Sequence, residues 1–179
     1  MSDRLRGDRV TLRPMAKDDL HLLHRWLNDP EVMQYWDGRD HPATFDRVEV
    51  RFRRSVDGSD REAIRYMIDV EGGPCIGMVQ YNRINPRAKN TQIDLLIGER
   101  EFRDTGYGAE AMRALLNHLF VALKVHRVWF TIRASNERAM RGAERAGFRN
   151  EGVLREHDQL EGTFVDVAVY GMLRSEWKS

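Results

Sequence analysis

Among 179 residues there is one cysteine, Cys75, so no disulfide can form within the chain, and that agrees with a reducing compartment. Long apolar runs are missing too. The longest, Leu119 to Leu123, is far short of the roughly 20 residues that cross a bilayer as a helix. The first residues, Met-Ser-Asp-Arg-Leu-Arg, contain no apolar segment of the secretory type, which points to the cytoplasm. Nor is there an excess of charge. With 29 basic and 28 acidic residues the net charge is +1, so no global field favours nucleic acid. What remains, 41% hydrophobic and 32% charged, describes one ordinary globular domain over 1–179.

The most informative stretch runs from Gln92 to Lys124. Gln92 to Gly98 reads as a strand, and Arg103-Asp104-Thr105-Gly106-Tyr107-Gly108 as a glycine turn. That turn opens a helix whose apolar residues, from Ala109 through Met112, Leu115, Leu116, Leu119, Phe120 and Leu123, recur at three- and four-residue steps. The first amides of a helix have no partner within it, and the positive end of the macrodipole lies there, so such a terminus takes anions. Gly106 and Gly108 remove the side chains that would hold a phosphate away from the backbone. The turn ends in Gly-Ala, not the Gly-Lys-Ser/Thr of a P-loop, and it lacks the G-x-G-x-x-G spacing of a dinucleotide fingerprint.

In chain order, Arg9 to Arg13 alternates as a strand up to Pro14, and a helix carries Leu20, Leu23, Trp26 and Leu27 until Asn28-Asp29-Pro30. A short helical turn follows over 31–35, and Thr44 caps a helix over Phe45 to Val56. Tyr66–Val70 and Cys75–Tyr81 form a hairpin around Gly72-Gly73. After the central helix come a strand over 127–133, a helix from Glu137 to Ala146 stopped by Gly147, and two strands, 148–154 and 163–173, joined by a hairpin at Leu160-Glu161-Gly162. The order is β-α-α-β-β-β-α-β-α-β-β, a mixed α/β sheet of about seven strands, mostly antiparallel, flanked by four helices. His21 and His24 have no third ligand in view, so no metal site is expected. Cys75 at a strand start reads as core rather than as an acyl carrier.

Three pieces carry a resemblance: Arg103, Gly106 and Gly108 in the pattern [Gln/Arg]-x-x-Gly-x-[Gly/Ala], Asn136 opening the next helix, and Arg145-Ala146-Gly147-Phe148 closing it. With the element order they make nearly the whole chain similar to the GNAT N-acetyltransferases. Leu12-Arg13-Pro14, Asn28 to Met33, Tyr81 to Pro86 and Gly147 to Gly152 resemble the RimJ/RimL-type enzymes within it. The chain is also similar to spermidine and aminoglycoside 6′-N-acetyltransferases.

The resemblance implies direct acetyl transfer from acetyl-CoA to a primary amine, either a protein N-terminus or a small molecule, with an aminoglycoside as the alternative acceptor. It implies that Leu96 and Ile97 offer backbone groups to the pantetheine arm and thioester. Amides of Arg103, Asp104, Thr105, Gly106, Tyr107, Gly108 and Ala109 would hold the pyrophosphate, and Asn136 would touch the cofactor arm. Tyr35, Trp36 and Asp37 would border the acceptor, where aromatics and an acid suit a cation. Two carboxylates are candidate general bases: Asp94, in an Ile-Asp pair like that of the aminoglycoside enzymes and set by alternation on the strand face opposite Ile93, Leu95 and Ile97, and Asp158, in the hairpin after the last helix, where the RimJ/RimL pattern carries an acidic residue. The tyrosine that many relatives use to protonate the thiolate is Ala143 here, leaving Ser135, Tyr170 or water. A reading of another class is a non-catalytic acyl-CoA-binding module, and dimers are common among relatives.

Overall fold

The computed structural model describes residues 4–34, 36, 42–160 and 162–178. Its strands are β1 (Leu5–Arg6), β2 (Val10–Pro14), β3 (Ala63–Val70), β4 (Cys75–Asn82), β5 (Asn90–Ile97), β6 (Arg127–Arg133), β7 (Arg149–Leu160) and β8 (Thr163–Leu173). Its helices are α1 (Leu20–Trp26), α2 (Pro30–Met33), α3 (Phe45–Val56), α4 (Tyr107–Asn117) and α5 (Glu137–Arg145). One eight-stranded sheet has the order β1-β2-β3-β4-β5-β6-β8-β7. All its pairings are antiparallel except β5 with β6. The expected seven strands become eight because the two-residue β1 pairs with β2 through Leu5↔Leu12 and Arg6↔Thr11. Two residues leave no periodicity to read.

Alternation along the central strands divides the core in two. Val79, Tyr81 and Ile93 face α4 and α5, together with Leu115, Leu116, Leu119, Phe120 and Phe148, and a bulge in β4 turns Ile76 to the same side. Met67, Met78 and Leu96 face the other way, against Leu20, Leu23, Trp26, Val48 and Phe52 of α1 and α3. Three layers result, with the sheet in the middle. Arg13 of β2 ties the α1 side to the sheet by pairing with buried Asp19 and with Asp69 of β3, each at 2.7 Å.

Two element ends differ most from the expectation. The helix expected to reach Lys124 is α-helical to Asn117 and continues as a π-helix over His118–Ala122. Strand β7 does not stop at Leu154 but runs to Leu160, with a bulge between Leu154 and Asp158. Asp158 therefore stands on a strand paired with Val165, not in the hairpin loop. Gly98 ends the central strand beneath Trp26: a Cβ there would lie 2.2 Å from the indole. The buried indole Nε1 donates to Glu99 Oε1 at 2.9 Å, which fixes the ring in that position.

Gly98→Ala overpacks this contact. It should cost about 1–3 kcal/mol, or roughly 2–12 °C of Tm for a chain of this size, in a thermal melt followed by circular dichroism.

Candidate active site

The parallel pairing of β5 with β6 lasts for three residues, Asn90↔Arg127, Thr91↔Val128 and Gln92↔Trp129. Beyond Gln92 the strands separate, β5 staying on β4 up to Gly77↔Ile97 and β6 staying on β8 up to Arg133↔Val167. The sheet is therefore forked, and the backbone edges along both arms are freed from each other. Gly98 N–H bonds to Ile76 O of β4 at 2.9 Å. By the alternation of an antiparallel pair, Leu96 turns its peptide groups to β4 as well, whereas those of Leu95 and Ile97 face the fork. A Cβ on Gly77 would lie 2.1 Å from the Leu96 carbonyl oxygen, which agrees. Of the two residues expected to offer backbone to the donor, only Ile97 has its groups on that edge, and its carbonyl already accepts from Arg103 Nε at 3.2 Å. Leu96 contributes its side chain to the α1–α3 core instead.

On the α4 side of the fork lies the glycine turn. Gly106, with φ +92°, is the N-cap of α4 and has no side-chain cap, so the amides of Tyr107, Gly108 and Ala109 open the helix without intrahelical partners. Asp104 has φ +63°, a conformation that aspartate tolerates better than most residues. Its carboxylate turns aside to Arg138 of α5 at 2.8 Å, which brings the two helix starts together. Thr105 Oγ1 donates to Phe102 O at 2.6 Å and tightens the turn. At the start of α5, Asn136 accepts from Ala139 N at 3.0 Å, an N-cap. Arg9, which the sequence did not single out, lays its guanidinium 4.3 Å from the Tyr107 ring centroid and pairs with Glu110 at 2.9 Å. Read as the first residue of an alternating strand, it counts only as a solvated cation.

The α1–α3 side holds the carboxylates. Asp94 accepts from Gln80 Nε2 at 2.8 Å; Gln80 Oε1 accepts from Arg65 Nε at 2.8 Å; Arg65 in turn pairs with buried Asp60 at 2.6 Å. A polar relay thus runs across β3, β4 and β5 to the inner end of the fork. At its outer end, Asp158 accepts from Arg133 Nε at 2.6 Å, and the same guanidinium donates to Gln34 O at 3.1 Å. Burial pushes the Asp158 carboxyl up, but the Arg133 bond, the Gln159 amide and the charges of Arg133 and His157 outweigh it and hold the group below the usual carboxylate range. Arg133 was invisible to sequence reasoning, since a cation at a strand end reads as solvated. Trp36 packs, half-buried, against the second core, whereas Tyr35 and Asp37 lie outside the described residues.

Tyr170 is buried, stacks with Phe130, and its hydroxyl donates to Glu144 at 3.2 Å. Burial, with Glu144 beside it, raises its pKa. Ala143 is buried in the α4–α5 core and Ser135 is exposed ahead of α5. Burial pushes the Cys75 thiol up to about 12, so little thiolate exists at neutral pH. Among the described residues no group of three or more His, Cys, Asp or Glu gathers to hold a metal, and no helix is long and apolar enough to cross a membrane.

A family model described as "Acetyltransferase (GNAT) domain" matches residues 9–149. The spermidine N(1)-acetyltransferase of Vibrio cholerae serotype O1 is 25% identical over 172 residues, 96% of each chain. The aminoglycoside N(6′)-acetyltransferase type 1 of Klebsiella pneumoniae is 29% identical over 164 residues, 85% of this chain and 80% of that one. Among solved structures, the Vibrio cholerae spermidine N-acetyltransferase in complex with CoA and spermine superposes with a TM-score of 0.85. It is 24% identical and the match covers 95% of this chain and 98% of that one, a likeness of fold.

Two outcomes follow from the geometry. Asp158→Asn leaves the largely buried Arg133 without its counter-charge and should cost about 1–3 kcal/mol at pH 7, less than a fully buried pair because Asp158 is 31% exposed. A carboxylate with a depressed folded pKa stabilises above its unfolded value, about 3.9, and loses that contribution as pH falls through the folded value. The wild-type and variant melting temperatures should therefore converge below about pH 4. Cys75→Ser should keep its turnover, and mass spectrometry of the wild type with acetyl-CoA alone should find no acetylated Cys75.

Proposed function

The chain belongs to the GNAT acetyltransferase family and is an acetyl-CoA-dependent N-acetyltransferase; from that premise we propose that transfer takes place in the fork between β5 and β6, with Asp94 as general base and a primary amine as acceptor. The observation that supports this is the fork itself. It joins an anion-ready helix start on one face of the sheet to a hydrogen-bonded carboxylate on the other.

Acetyl-CoA supplies an activated acetyl group whose carbonyl carbon an amine can attack. The amides of the Arg103–Ala109 turn, chiefly those of Tyr107, Gly108 and Ala109, receive the pyrophosphate, with Arg9 adding positive charge beside Gly106. Asn136 touches the arm while capping α5. The edge of β5 at Leu95 and Ile97 aligns the pantetheine amides and gives the thioester oxygen a backbone donor. On the opposite face Asp94 draws the ammonium to the fork and takes its proton, Gln80 holding the carboxylate in place. Arg133 lowers the proton affinity of Asp158, which tells against that carboxylate as the base. With Ala143 in place of the usual tyrosine and Tyr170 committed to Glu144, the departing thiolate takes its proton from water.

The acceptor is an amine of the RimJ/RimL kind, a small primary amine or a protein N-terminus. Spermidine and an aminoglycoside, on which relatives act, are the small amines to try first. Thiol release from acetyl-CoA against spermidine, an aminoglycoside and peptide N-termini should show turnover with at least one. Binding without release towards any of them would favour a non-catalytic acyl-CoA-binding module. Asp94→Asn should lose at least tenfold in kcat and the acidic limb of the pH profile, yet bind acetyl-CoA normally in calorimetry. Gly108→Asp should abolish acetyl-CoA binding; unchanged affinity would overturn the placement of the pyrophosphate.

A further inference from the structure

Arg103 heads the turn that the family pattern gives to pyrophosphate, yet its guanidinium is spent elsewhere. Nε donates to Ile97 O at 3.2 Å, Nη2 to Gly98 O at 2.8 Å, and Nη1 to Glu31 at 3.0 Å, with Asp29 3.6 Å from Nη2. All three nitrogens are engaged and the side chain is only 12% exposed. A phosphate that took this guanidinium would strip it from two carboxylates and two carbonyls, leaving like charges near the phosphate.

The other arm of the fork mirrors the arrangement. Arg133, the last residue of β6, reaches Gln34 O immediately after α2. Helix α2 is thus tied at its start to the end of β5 and at its finish to the end of β6, so it spans the fork. Four residues cannot hold a helix on their own. The Asp29 cap (Glu31 N to Asp29 Oδ1, 2.8 Å), the burial of Val32 and Met33, and these two arginines fix it. Trp36, one of the residues read as bordering the acceptor, follows two positions after Gln34 and packs half-buried against the second core on this side of the sheet.

We propose that the Arg103 side chain is a positioning residue for the amine acceptor, not a phosphate ligand: it fastens α2 to the end of β5 and so sets the acceptor wall of the fork. This rests on the reading that transfer occurs in the fork. Backbone amides of the turn bind the donor, while the side chain of the same turn serves the acceptor.

The test separates the two substrates. Arg103→Met is compared with wild type by steady-state kinetics, using the panel amine of highest kcat/KM (spermidine in the first instance), and by calorimetry with acetyl-CoA. The amine KM should rise tenfold or more while the acetyl-CoA Kd stays within twofold. Loss of acetyl-CoA affinity with an unchanged amine KM would make the guanidinium a phosphate ligand and overturn the proposal, as would no change in either. If Arg103→Met does not fold, the double variant Asp29→Asn/Glu31→Gln leaves the arginine in place and should raise the amine KM in the same way; an unchanged KM overturns the proposal. Where all fold, combining them should add little to either alone, because they break one contact. Gly108→Asp reports on the donor site separately, so a failure of the pyrophosphate placement leaves the Arg103 result readable.

Discussion

The parting of β5 from β6 after three paired residues is the constraint from which the rest follows. A parallel pair in mid-sheet would normally continue, since every peptide left unpaired away from water costs a hydrogen bond. Here the two strands are held by different neighbours, β4 on one side and β8 on the other, and each keeps its own partner to its end. The gap this leaves is lined by peptide groups that want ligands. Carbonyls at the end of β5 are partly answered by Arg103. Pantetheine, with its two amides, is a natural partner for the remainder.

Those features that depend on local chemistry were legible in the sequence. Glycine at 106 is demanded by a left-handed backbone at the N-cap, and the α4 face by 3.6-residue spacing. Alternation placed Asp94 opposite Ile93, Leu95 and Ile97, and the two cores divide along that line. Features that depend on residues distant in the chain were not. Arg133 meets Asp158 across 25 positions and Arg103 meets Glu31 across 72, and nothing in either neighbourhood announces the partner. The bulge that lets β7 run on past Leu154 is equally silent, which is why Asp158 read as a hairpin residue.

Polar networks of this kind carry a stability cost as well as a role. The Asp60–Arg65–Gln80–Asp94 relay occupies a sheet face whose neighbours are methionine, leucine and phenylalanine. Apolar side chains there would pack without any desolvation term. The relay instead fixes which end of the Gln80 amide faces Asp94: with Arg65 donating to the oxygen, the nitrogen must point the other way. Three strands thereby set the orientation of one carboxylate.

A sheet that forks is open on both faces at once, and this bears on the order of events. With transfer in the fork as proposed, a donor seated from the α4 side and an acceptor entering from the α1–α3 side would not obstruct one another, and neither would have to leave before the other arrives. With the single thiol held protonated by burial, no thiolate is at hand on which an acetyl group could wait. On that placement the consequence is a ternary complex, seen in initial-rate plots as lines that intersect rather than run parallel, with the two products leaving through opposite doors.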